Sequence, residues 1–140
     1  MDDLQARRDL GRKVIREMLG EQFAAAYEAG ITGNGFCSDA GRMALEFAFA
    51  ETWGQPGLDR KSRSMVILGA LIALGKAPEL RNHVRAALNN GITVPELEQI
   101  ILQTLPYVGF VLGAEAMQVA GEVLKERGMD VKTSKDLGTL

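Results

Sequence analysis

His83, the one histidine of the chain, stands four residues after Glu79 in the run Pro78-Glu79-Leu80-Arg81-Asn82-His83. Imidazole changes charge near neutral pH, and on a helix a carboxylate at i, i+4 lies on the same face and can hold its tautomer. Two roles fit that spacing. An exposed pair adds only about 0.2–0.5 kcal/mol to helix stability. A pair partly buried beside a pocket can move a proton, because burial shifts the pKa and strengthens the hydrogen bond between the two groups. Burial decides between them.

Glu51 precedes Thr52 and Trp53 at the end of an apolar run. A carboxylate there opposes the negative end of a helix dipole, so it is a functional group, a group on a frayed helix end, or one side of a salt bridge to Arg60 or Lys61. Arg60, Lys61 and Arg63 fall in a first helical turn, where the dipole is already positive. They form a carboxylate or phosphate site, or a solvated basic face with Asp59 reaching Arg63. Arg63, one turn into the apolar run, is the better anion anchor of the three. Trp53 reads as core when taken alone, and Tyr107, after Pro106, as a packing residue or as a hydroxyl donor into a cavity. Cys37 has no cation beside it to lower its pKa and reads as incidental.

These residues lie in a chain of 140, long enough for one domain with a single core. With 46% hydrophobic and 24% charged residues it is globular, and no apolar stretch is long enough to span a bilayer. The net charge of −2, with both signs interspersed, gives no footprint for nucleic acid or an anionic membrane. Met1-Asp2-Asp3-Leu4 lacks a secretory start, so a cytoplasmic location is expected. One Cys and one His leave no thiolate-rich metal site and no CxxC pair, and no metal is expected.

Helical punctuation dominates, and the expected fold is an all-α, compact bundle of about six to seven helices in a single domain over residues 1–140. A first helix runs from about Leu4 to Leu19 and stops at Gly20, and a second runs from Glu21 to Ala29 before a loop over Ile31–Gly35. Ser38 or Asp39 caps a third helix reaching Thr52, which Gly54-Gln55-Pro56-Gly57 breaks. Asp59 caps a fourth, whose body Met65–Leu74 is apolar on every face and so must be central or buried in an interface. Pro78 opens the helix of His83, which ends at Asn89-Asn90-Gly91. Thr93 and Glu96 form a capping box for a helix with Leu97, Ile100, Ile101, Thr104 and Leu105 on one stripe, ended or kinked by Pro106. A last helix from Gly109 carries Leu112, Ala116, Val119, Ala120 and Val123 and stops at Gly128, leaving 129–140 as a flexible tail.

The order of several segments resembles the carboxymuconolactone decarboxylase family. Phe49-Ala50-Glu51-Thr52-Trp53-Gly54-Gln55-Pro56-Gly57-Leu58-Asp59 followed by Arg63-Ser64 is similar to the family signature. So are Glu79-Leu80-x-x-His83, Ala86-Ala87-Leu88-Asn89-Asn90-Gly91-Ile92-Thr93, Gln103 and Tyr107-x-Gly109. The likeness runs from about Arg8 to Leu124. Phe49-Ala50 replaces the family's Trp-Gly, Gln55 replaces an Arg, and Gly109-Phe110-Val111 replaces Gly-Val-Pro. Losing an Arg weakens recognition of a carboxylate-rich substrate, since carboxylates favour bidentate guanidinium partners. Lys76 and Glu79 occupy the positions of the cysteines in the CxxCxxxH motif of the related alkylhydroperoxidase D-type enzymes. Thiol peroxidase chemistry has neither of its thiolates here.

The resemblance implies an alkylhydroperoxidase D-like helical fold, a homo-oligomer built as a hexamer or trimer of dimers, and cofactor-free decarboxylation of γ-carboxymuconolactone in protocatechuate breakdown. It makes the partner a small carboxylated lactone. It also gives His83, Glu51 and Glu79 catalytic roles and assigns Arg63, Trp53 and Tyr107 to substrate. Two alternatives stay open: conversion of a related lactone or keto acid on the same scaffold, and a non-enzymatic oligomer that only binds a ligand.

Overall fold

A computed structural model describes residues 3–129, 131 and 132 of the chain. Among them are six α-helices, one π-helix and no strand, as the all-α reading expects. The chain divides into two compact units, residues 1–60 and 61–140.

In the first unit, α1 spans Asp3–Thr32 and is bent at Gly20, whose φ of 86° and ψ of 169° lie outside helical space. Glycine adopts that conformation without the Cβ clash that an L side chain would meet. The break falls at the expected residue. The second arm then runs past Gly30, so Ile31, assigned above to a loop, is helical and buried. Across the bend, Arg12 holds Glu28 through two parallel bonds, Nε to Oε2 and Nη2 to Oε1, each 3.0 Å. Burial of Ile15, Ile31 and Leu45, with Phe23, Tyr27 and Phe49 packed against them, closes the unit. The Tyr27 hydroxyl donates to the Gly41 carbonyl at 2.7 Å.

α2 is short, Ser38–Ala44, and its N-cap is neither Ser38 nor Asp39. Cys37 holds that position in a left-handed conformation, with no side-chain capping bond. Ser38 and Asp39 instead accept from the Arg42 guanidinium. Leu45–Trp53, read above as the continuation of an α-helix, is a π-helix. Its backbone pattern reaches back five residues, as where the Gly54 N–H donates to the Phe49 carbonyl at 3.0 Å, and the Thr52 side-chain hydroxyl also donates to the Phe47 carbonyl at 3.0 Å. It runs antiparallel to the first arm of α1, since Gly11 lies against Leu45 while Arg7 meets Glu51.

α3 (Arg60–Leu74) starts directly after Asp59 and leads into the second unit. There α4 (Ala77–Asn89), α5 (Val94–Val108) and α6 (Phe110–Glu126) complete the bundle. α6, not α3, is the most buried: Ala116, Val119, Ala120, Val123 and Leu124 sit in the core with Leu68, Ile72, Leu80, Val84, Leu97 and Ile101. α3 buries Ser64, Leu68, Leu71 and Ile72 and leaves Val66 and Leu74 exposed.

The helix ends match local chemistry. Pro78 is in the first turn of α4, and Gly91 follows α4 at φ 96°. Both halves of the Thr93–Glu96 capping box are formed. Pro106 does not end α5, which runs on to Val108 and stops at Gly109. A proline so near a C-terminus removes only one backbone donor from the last turn, and the helix tolerates that loss. Of the tail assigned to 129–140, Asp130 and residues 133–140 lie outside the described residues, and Val131 packs against the core.

Candidate active site

His83 is partly buried on α4, and its Nδ1 is a buried atom that no hydrogen bond reaches. Burial pushes its pKa below the ordinary 6.5, because water is withdrawn from the charged form, and the Glu79 carboxylate opposes that effect more weakly. At neutral pH the imidazole is therefore neutral. Glu79 itself is exposed. The i, i+4 spacing thus joins a partly buried imidazole to a surface carboxylate that acts on it through its field.

Glu51 sits near the C-terminal end of the π-helix. Its Oε1 accepts from Arg7 Nε at 2.9 Å, so its ion-pair partner is an α1 residue and neither Arg60 nor Lys61. Arg60 is held by Glu17 and Lys61 by Glu96, the latter at 2.9 Å. Arg60 and Lys61 therefore each have a carboxylate partner. Arg63 lies on α3, half-buried, and precedes Ser64, which is fully buried. Ser64 Oγ accepts from Asn90 Nδ2 at 2.9 Å, tying α3 to the C-terminal turn of α4. The Arg7–Glu51 and Ser64–Asn90 pairings escaped the sequence reading because the partners lie 44 and 26 positions apart, where local periodicity carries no signal.

Trp53 is half-buried at the last residue of the π-helix. Tyr107 is 82% exposed, so its ring is not a packing residue within this chain. Glu51 and Trp53 thus belong to the first unit, and Arg63, Glu79, His83 and Tyr107 to the second. Cys37 is exposed. Among the described residues no group of three His, Cys, Asp or Glu side chains is arranged to hold a metal ion.

A cavity of about 380 Å³ opens beside Glu51, lined by Arg7, Leu10, Ala50, Gly54 and Gln55 among others. That volume suits a small organic acid. In the second unit a cavity of about 630 Å³ lies between α3 and α5, walled by Met65, Gly69, Ile100 and Gln103.

The sequence pattern of the carboxymuconolactone decarboxylase family matches residues 38–122, which hold Glu51, Arg63, His83 and Tyr107. The match covers more than half of the chain, and the chain belongs to that family. Among characterised relatives, a 4-carboxymuconolactone decarboxylase of Acinetobacter baylyi is 39% identical over 127 residues, 90% of this chain and 93% of its own. A nitrosuccinic acid decarboxylase of Metarhizium robertsii is 33% identical over 118 residues, 84% of this chain and 81% of its own. An uncharacterised 15.0 kDa protein of Paracoccus denitrificans is 34% identical over 84 residues, 59% of this chain and 63% of its own.

Proposed function

We propose that the chain is a carboxy-lyase that removes CO2 from γ-carboxymuconolactone, giving the β-ketoadipate enol-lactone in the cytoplasmic breakdown of aromatic acids through protocatechuate. The observation that carries this reading is the 39% identity to a 4-carboxymuconolactone decarboxylase along nearly the whole of both chains. The substrate brings its own electron sink. When the bond between the ring carbon and the carboxylate breaks, its electron pair passes through the ring double bond to the lactone carbonyl oxygen. A proton then adds to the carbon beside that carbonyl, and the double bond settles next to the ring oxygen.

Three tasks fall to the protein: holding carboxylate, donating to the developing oxyanion, and delivering one proton away from bulk water. A neutral imidazole suits the second, since an N–H donor of low acidity stabilises an enolate oxygen without first protonating it. With Nδ1 buried, we assign Nε2 of His83 to that contact. Glu51 is assigned to proton delivery, Arg63 to a substrate carboxylate, and Trp53 and Tyr107 to the walls of the site. Glu79 tunes His83 from the surface.

The test is to mix purified protein with the lactone and follow its ultraviolet absorbance, then repeat with His83→Ala. Loss of turnover by about a hundredfold or more is expected. Full turnover in the variant removes His83 from the mechanism, and none in the parent removes the substrate. The relative that decarboxylates nitrosuccinic acid favours a second substrate class, a diacid whose nitro group takes up the electrons as the lactone carbonyl would. Assaying both compounds side by side separates the two.

We also infer a homo-oligomer, a hexamer or trimer of dimers. Tyr107, Phe110 and Val111 are exposed at the α5–α6 turn, as are Val66 and Leu74 on α3, and apolar side chains like these are what a subunit contact would cover. Light scattering on the eluting protein should give six subunits, and a monomer removes the assembly.

A further inference from the structure

The first unit contains two ion pairs of nearly matched form on adjacent residues. Arg7 Nε meets Glu51 Oε1 at 2.9 Å, and Arg8 Nε meets Glu46 Oε1 at 2.7 Å. All four side chains are partly exposed. Around an α-helix, positions five apart lie about 140° from one another, so Glu46 and Glu51 would face different ways. A π-helix, whose bonds close five residues on, returns them to one side. The π-helix is therefore what presents both carboxylates to α1.

Arg7, Glu51 and Gln55 line the space of about 380 Å³ together with Asp3, and neither Arg8 nor Glu46 does. The Arg7–Glu51 pair thus forms part of a cavity wall, and the Arg8–Glu46 pair is no part of that wall.

Glu51 stands where the carbonyl end of a helix makes the potential negative, and an unsupported carboxylate is pushed away from such a place. Arg7 counters that field. It also fixes the carboxylate through Oε1. Its Nη2 lies 3.9 Å from Asp3 Oδ2, beyond hydrogen-bond reach, so the Glu51 contact is the close one.

We propose that Arg7 is a positioning residue of the reaction: its guanidinium fixes the Glu51 carboxylate in place for proton delivery. The proposal rests on the reading of Glu51 as the proton-delivering group. A residue that aims a reacting group acts on the chemical step, because small misplacements are costly there, whereas substrate affinity barely feels them.

Steady-state kinetics on the lactone for the parent, Arg7→Gln, Arg7→Lys, Arg8→Gln and Glu51→Gln tests this, with Tm measured for each. Arg7→Gln should lower kcat about ten- to a hundredfold while KM stays within about threefold. Arg7→Lys, which keeps the charge without the fork, should recover part of that loss. Arg8→Gln should leave kcat at the parent value while shifting Tm as much as Arg7→Gln does, by about 5 °C or less. Equal kcat in Arg7→Gln and parent, or equal losses in the Arg7 and Arg8 variants, overturns the proposal and leaves the decarboxylase reading standing. Undiminished turnover in Glu51→Gln removes the Glu51 assignment and Arg7 with it. A parent inactive on the lactone removes the reading as a whole.

Discussion

Asn90 Nδ2 donates to Ser64 Oγ at 2.9 Å, and Ser64 is the one polar side chain in the buried set of the described residues. The bond joins the helix of Arg63 to the turn that ends the helix of His83. Its two ends are unequal. Ser64 has no access to water, whereas Asn90 is partly exposed.

Truncating Asn90 therefore strands a buried hydroxyl, while truncating Ser64 leaves an amide that water can reach. Asn90→Ala should cost about 1–3 kcal/mol and Ser64→Ala about 0.5–1.5 kcal/mol, read from urea midpoints. The double variant should cost less than the sum. Strict additivity would show that the two side chains do not depend on each other.

His83 gives the stability a pH dependence of known sign. Its pKa in the folded chain is depressed, mainly by burial, so between that value and the ordinary 6.5 the unfolded chain binds more protons. The contribution is complete above about pH 6.5 and is lost as the pH falls through the folded value. Tm of the parent should then drop more steeply from pH 7.5 to 5 than that of His83→Gln. Parallel curves would mean that the imidazole is equally solvated in both states.

Two glycines of α1 should respond oppositely to alanine. A Cβ on Gly11 would stand 2.5 Å from the Leu45 backbone carbonyl oxygen, an atom held by the π-helix and unable to swing aside. Gly11→Ala should cost about 1–3 kcal/mol. A Cβ on Gly30, also helical, meets nothing within 4 Å, so Gly30→Ala should stabilise by about 0.4–1 kcal/mol. A Gly11→Ala variant as stable as the parent would show that α1 and the π-helix can move apart without penalty.

What was legible in the sequence is what a few neighbouring residues decide. The Gly20 break, Pro78, the Thr93–Glu96 box and the Gly91 and Gly128 stops are all local, and each stands where it was read. The π-helix was not legible, because apolar spacing was judged against a period of 3.6 and the segment does not turn with it. Its ion pairs follow from that geometry and were missed with it. Periodicity also says which face of a helix is apolar, not whether the same chain covers it. That is why Tyr107 and the exposed Val66 and Leu74 of α3 had to be seen in place.

For the candidate site, residue type and family likeness singled out Glu51 and His83, but not how each is held. Arg7 is 44 positions from Glu51, a pairing that only the folded first unit creates.

The π-helix also makes the number of residues between Glu46 and Glu51 matter in an unusual direction. A one-residue deletion between them would let the segment relax to ordinary α-helix with the two glutamates four apart and still on one side. Relaxing to α-helix at the present length would instead turn Glu51 about 140° away from Glu46. The stretch carries one residue more than an α-helix needs: a single-codon deletion between the glutamates should be tolerated better than a single-codon insertion, and a library of both scored for activity would show the difference.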